Sequence, residues 1–178
     1  MQNTKNIKKL CGSAVMAALF VALEYLSATL GKMLFSDSYQ LPLGCFPLLL
    51  AAVLYGPLWA SGAAFVGAFL SQVITYGVDW STLLWILPTV IYTLSAALLY
   101  IAFRRNNNRL LLGAEFFVCS IILSVLNVAV NYIFNYVQNL SNALLKVFLP
   151  IKLGFGLVFA FVFAVIVPPI VNRIRKLM

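Results

Sequence analysis

Three asparagines at four-residue steps, Asn127, Asn131 and Asn135, form the most chemically suggestive spacing in this chain. Residues four apart share one face of an α-helix, and Ser120, Ser124 and Gln138 fall near the same line. An amide carries donors and an acceptor. A row of them therefore suits either a polar guest or hydrogen bonding between membrane helices. The row drifts toward one end of its helix, which favours a ligand site. Two charged residues add to it. Glu24 and Lys152 each lie about seven residues inside an apolar run, roughly 10 Å below its end at the helical rise. At equal depth they could neutralise one another, or one or both could face a water-filled pocket. Lys146, nearer the end of its run, reads as a snorkelling lysine that would also attract an anion. Tyr76, Trp80 and Trp85 gather with Gln72 and Asp79. An interfacial aromatic belt accounts for Trp80. Tyr76 and Trp85 are candidates for a stacking wall against a flat heterocycle as well as for that belt.

Reactive chemistry is poorly supplied by comparison. The chain has no histidine and only four acids, which removes the commonest general base and metal ligand. Cys11, Cys45 and Cys119 are widely separated and suggest neither a metal site nor a disulfide framework. No phosphate-binding loop is present, so any ATP hydrolysis must come from partners. No enzyme, cofactor or metal is expected.

The elements that position these residues follow from composition. Of 178 residues, 63% are hydrophobic and 9% charged, with a mean hydropathy of +1.02. So few charges could not cover a water-facing surface, for which about a quarter is usual. At about 20 residues per crossing, the length allows about six helices and a single transmembrane domain, 1–178. The expected class is an all-α polytopic membrane protein with six transmembrane helices. The first covers 10–30 and reads as a span rather than a cleaved signal, because the run is long and more spans follow. The others cover 42–55, 58–76, 82–103, 110–137 and 146–171. The second is short enough to be tilted or partly re-entrant. Gly56-Pro57 forms a tight turn, Pro88 should kink the fourth helix, and the sixth should end near Pro168-Pro169. Polar loops are expected at 31–41, 77–81 and 138–145.

The net charge of +8 is distributed as an orientation signal. Nine of the twelve basic residues lie in the N-terminal segment, the 104–109 loop and the C-terminal tail. An even number of spans puts these on one side, and the positive-inside rule makes that side the cytoplasm. Short basic patches beside apolar runs suit lipid headgroups rather than nucleic acid.

Ala14, Ala18 and Ala22 make a small-residue ridge on the first span that suits close helix packing. This ridge, and the stretch LPLGCFPLLLAAVLYGPLWASGAAFVGAF from Leu41 to Phe69 with its Tyr-Gly-Pro turn, resemble the substrate-binding (S) component of energy-coupling factor (ECF) vitamin transporters. The resemblance extends over nearly the whole chain through size, span number and terminal placement. It implies a multi-pass subunit of a bacterial plasma membrane that binds a vitamin-like small molecule near the outer face, beneath the loop after the first span. The alanine ridge would meet a transmembrane coupling protein driven by two cytoplasmic ATPases. A folate- or pantothenate-like anion suits the lysines near the site. The competing classes are a self-contained secondary transporter or channel subunit, for which inverted repeats would speak, and an intramembrane enzyme, for which no catalytic set is present.

Overall fold

The computed structural model describes residues 2–34, 42–103, 109–138 and 143–177, and within these every regular element is a helix. The order is α1 (Gln2–Leu34), α2 (Cys45–Tyr55), α3 (Pro57–Tyr76), α4 (Thr82–Ala102), α5 (Arg109–Val137) and α6 (Ala143–Leu177). All but α2 contain a stretch long and apolar enough to cross a membrane.

At eleven residues, α2 is about 16 Å long, well short of the ~30 Å hydrocarbon core. It is nonetheless the centre of the bundle. Cys45, Pro47 to Leu50 and Ala51 to Val53 are buried, and α2 packs against α1, α3, α4 and α6. A helix enclosed by other helices needs no polar face, which explains why its sequence is apolar all round. The remaining packing is sequential: α1 on α3, α3 on α4, α4 on α5 and α5 on α6.

Two glycines make the tight connections. Gly56 adopts φ 86° between α2 and α3, a backbone that favours glycine, and Pro57 opens α3 with its fixed φ. Gly77 closes α3 with φ 83°. Between Gly77 and α4, Asp79 organises the turn. The Trp80 backbone N–H donates to its Oδ1 at 2.7 Å, and its own N–H donates to Thr82 Oγ1 at 2.9 Å.

Three helices differ in their boundaries from the sequence expectation. The basic N-terminal segment belongs to α1, which also runs on to Leu34 instead of yielding to a loop at Gly31. The remainder of that loop, 35–41, lies outside the described residues, as do 104–108 and 139–142. The second apolar run begins its helix at Cys45, because Pro42 to Gly44 form a turn. The sixth helix does not end at Pro168-Pro169 but passes through both to Leu177. Proline at 168 removes the N–H that would pair with the Ala164 carbonyl. That freed oxygen faces α5, where a Cβ built on Gly113 would lie 2.7 Å from it. Glycine at 113 thus leaves room for this carbonyl, and neighbouring helices commonly help membrane helices to tolerate proline. Pro88 likewise sits inside α4, buried.

Candidate functional site

All six helices or their ends contribute to one cavity of about 530 Å³, a size that suits a small organic molecule. Each helix brings the side chains that its register dictates. On α1, Ser13, Ala17, Phe20 and Ala28 are buried, and this inward stripe carries Phe20 and Glu24 to the cavity. The α2 end supplies Pro42 and Cys45, and α3 supplies Ala68, Ser71, Gln72 and Tyr76. The turn and α4 add Asp79, Ser81, Thr82, Trp85 and Thr89. Gly156, Phe159 and Phe163 come from one face of α6.

Helix α5 forms the longest wall, with Ser120, Leu123, Ser124, Asn127, Val128, Asn131 and Phe134. The Asn131 amide donates to the Asn127 carbonyl at 2.7 Å, and Ser124 Oγ donates to the Ser120 carbonyl at 3.0 Å. Both bonds are local, so the wall is set by the helix itself. Asn127 and Asn131 line the cavity, and Asn135, the third of the row, does not. Phe134 takes that level of the wall instead. Its ring stacks on Trp80, with centroids 5.9 Å apart and planes 11° apart, and tilts against Trp85 at 5.8 Å and 55°. These three rings join α4 and the turn before it to α5. At another point of the wall, the Tyr92 hydroxyl and Ser120 Oγ come near each other without closing a hydrogen bond, and both atoms are buried.

Of the residues singled out by sequence, Glu24, Gln72, Tyr76, Trp85, Asn127 and Asn131 all line this cavity. Asn135 does not. Lys152 lies on α6, and its side chain is outside the described residues, as is that of Lys146. Ala14, Ala18 and Ala22 are exposed, beside the buried stripe of α1 rather than within it, and α1 packs mainly on α2 and α3. Phe134, Phe159 and Phe163 carried no sequence expectation. Their signal was available in part, since Phe134 follows Asn131 by three residues and Phe159 and Phe163 are four apart, but phenylalanine in a membrane helix is too common to stand out. Among the described residues no group of histidine, cysteine or acidic side chains could hold a metal ion.

No curated protein and no solved structure matches the chain. The family model for the substrate-specific component of ECF transporters matches residues 8–171, which takes in every cavity residue and the alanine ridge. A bundle of apolar helices around a ligand-sized polar cavity is what a membrane subunit of that kind requires. The chain belongs to the ECF transporter substrate-specific component family.

Proposed function

We propose that the chain is the substrate-capturing subunit of an uptake transporter in a bacterial plasma membrane, and that the cavity holds its vitamin-like ligand. The single observation behind this reading is the convergence of Glu24, Gln72, Trp85, Asn127 and Asn131, from four helices, on one cavity of ligand size. Buried polar groups in a membrane are costly unless they serve a site or a partner. In this reading the six helices form one membrane domain with both termini cytoplasmic, and the cavity lies toward the outer face. Asn127, Asn131, Gln72 and Glu24 supply polar contacts, and Tyr76 and Trp85 supply ring contacts. Lys152 and Lys146 underlie the preference for a ligand with an anionic group, and Asn135 acts at the margin of the site.

Transport then depends on partners. The chain would deliver its ligand inward with a transmembrane coupling protein and two cytoplasmic ATPases, performing no catalysis itself. The face for the coupling protein would be the Ala14, Ala18, Ala22 ridge. Small side chains let a partner helix approach closely, which is what drives association in lipid, and all three alanines are exposed along α1.

Ala18→Trp tests this reading. The bulk adds about 1–3 kcal/mol of strain to a close helix contact, enough to depopulate a reversible complex. Ligand binding in detergent should survive, while copurification with the coupling protein and uptake in cells should be lost. Unchanged uptake would remove the docking role, and joint collapse of folding and binding would place the ridge inside the subunit.

A further inference from the structure

Two carboxyls line the cavity, and they are held differently. Asp79 is engaged in its own turn: its Oδ1 accepts the Trp80 N–H at 2.7 Å, and its Oδ2 accepts the Ser81 hydroxyl at 3.4 Å. Glu24 has one partner of note, the backbone N–H of Gly44, directed at the carboxylate from the start of α2. Glu24 Oε2 is buried, with no hydrogen-bond partner among the described residues. The approach of the two segments is close. A Cβ at position 44 would lie 2.6 Å from Oε2, so glycine is what lets the α2 end come up to the acid. The positive end of the α2 dipole also faces the carboxylate and favours its charge.

A buried carboxylate oxygen without a donor is a costly arrangement. Among the described residues that line the cavity there is no lysine or arginine. The missing donor is therefore one that a guest can supply. A carboxylate has about four acceptor sites, and Gly44 occupies only one of them. Two parallel N–H groups would fill the side that Gly44 leaves open. The surrounding shape limits what carries those donors. Trp85 and Phe134 meet in the cavity wall, and Phe159 and Phe163 lie 6.1 Å apart, centroid to centroid, along α6. Aromatic walls favour a flat guest, stacked or edge-on, and they favour partial positive charge over negative.

We infer that the cavity takes a planar nitrogen heterocycle whose edge presents two adjacent N–H donors, amidine- or guanidine-like, with Glu24 as the acceptor. This rests on the ligand-binding role proposed above and names the chemistry of one end of the ligand. It leaves room for an anionic group at the other end.

The test is calorimetric titration of the purified full chain with two bicycles of equal shape. 2-Aminobenzimidazole offers two parallel N–H donors. Benzimidazol-2-one replaces the amino group with a carbonyl and loses one donor from that edge. The native protein should bind the first about ten- to a hundredfold more tightly than the second, the range of one charged hydrogen bond. Glu24→Gln keeps the shape but turns an amide N–H₂ toward the ring, and it should flatten the preference to within about threefold. Glu24→Asp keeps the carboxylate and should retain the preference at weaker affinity. The ligand-free thermal midpoint of Glu24→Gln should equal or exceed that of the native chain, because an unpartnered buried charge is gone. Equal binding of the two rings by the native protein overturns the inference, and so does failure to bind either. A preference that survives in Glu24→Gln overturns it too. A lower ligand-free midpoint in Glu24→Gln would assign the acid to an internal pair with Lys152 and overturn it as well. Copurification of the native chain with the coupling protein is independent of all these outcomes. If it persists while ring binding fails, the ligand chemistry is wrong and the transport role stands. If it is lost, the role itself falls.

Discussion

The same helices build two regions of opposite character. Around α2 the bundle is dry and tight. Leu49, Ala51, Ala52, Ala60 and Ala97 have essentially no exposed surface, and Leu112, Phe116 and Cys119 of α5 close over them with Val167 and Val171 of α6. Further along the same α5 the side chains become Ser120, Ser124, Asn127 and Asn131, and a cavity opens. In lipid, helices gain little from hiding apolar surface, since the surroundings are equally apolar. Tightness instead comes from close approach, as where Gly113 meets the Ala164 carbonyl and Gly12 meets the Tyr55 ring. Where rings and amides replace small residues, the helices stand apart and leave room for a guest. In the proposed reading one region holds the fold and the other holds the ligand. A substitution should affect stability or binding according to which region it enters.

The largest separation should come from Asn131→Ala. It removes an amide from the cavity wall, and an unreplaced polar contact is worth about 1–3 kcal/mol, or a five- to hundredfold loss of ligand affinity. Yield and monodispersity in detergent should be unchanged, because the dry region is untouched. Asn135→Ala, one helical step on but off the wall, should change affinity by less than about threefold. Equal losses at 131 and 135 would mean that the stripe acts as a unit, and no loss at either would assign it to helix packing.

That pair of residues also shows where sequence reasoning succeeds and fails. Five long apolar helices and the Gly56-Pro57 turn are readable because hydropathy and glycine–proline chemistry are local properties. The central position of α2 is not, because an eleven-residue apolar helix has the same sequence whether it lies tilted, re-entrant or enclosed. The continuation of α6 through Pro168-Pro169 is not readable either, because proline reads locally as a helix stop and the close neighbour there, Gly113, lies 55 residues before Pro168 in the chain. On the cavity wall, the amide row was readable as a stripe, but how far along α5 the cavity extends, to Asn131 and Phe134 and not to Asn135, depends on the neighbouring helices and is not written in the spacing. Glu115 illustrates a further limit. It is buried on α5 with Oε2 lacking a partner among the described residues. It carried no sequence expectation, because a lone acid in an apolar run does not reveal which helix face it occupies.

A smaller effect, on the other region, is expected from Gly113→Ala. The new Cβ would sit 2.7 Å from the Ala164 oxygen, a backbone atom that cannot rotate away. Overpacking of this kind costs about 1–3 kcal/mol, partly offset by the better helix propensity of alanine, about 1 kcal/mol. The thermal midpoint in detergent should fall, with ligand affinity at low temperature unchanged. A midpoint at or above that of the native protein would show that α5 and α6 are free to separate here, and the contrast between the two regions would lose its tight half.

The smallest effect on stability should come from Gly156→Ala, the same substitution made in the cavity region. A Cβ there would collide with Ser124 Oγ, a hydroxyl that can rotate, and would lie 2.9 Å from Ser124 Cβ, which cannot, so α5 and α6 must also give by a few tenths of an ångström. Turning it aside gives up its bond to the Ser120 carbonyl, worth about 0.5–1.5 kcal/mol. The gain in helix propensity offsets that bond, and the remaining contact with Ser124 Cβ leaves a fall in thermal midpoint smaller than at Gly113, where a backbone oxygen lies closer. Binding should respond as well. Gly156 and Ser124 both line the cavity, so the added methyl and the displaced hydroxyl narrow it between α5 and α6. A misplaced polar group and one lost contact of about 1 kcal/mol correspond to roughly a fivefold loss of affinity. Comparing this variant with Gly113→Ala, each measured for midpoint and for ligand affinity, puts the two regions side by side with the chemistry of the substitution held constant. A drop in midpoint as large as at Gly113 would show the cavity wall to be packed as tightly as the dry region. Unchanged affinity would place the ligand away from the α5–α6 seam, leaving Glu24, Trp85 and the asparagines to hold it from the other walls.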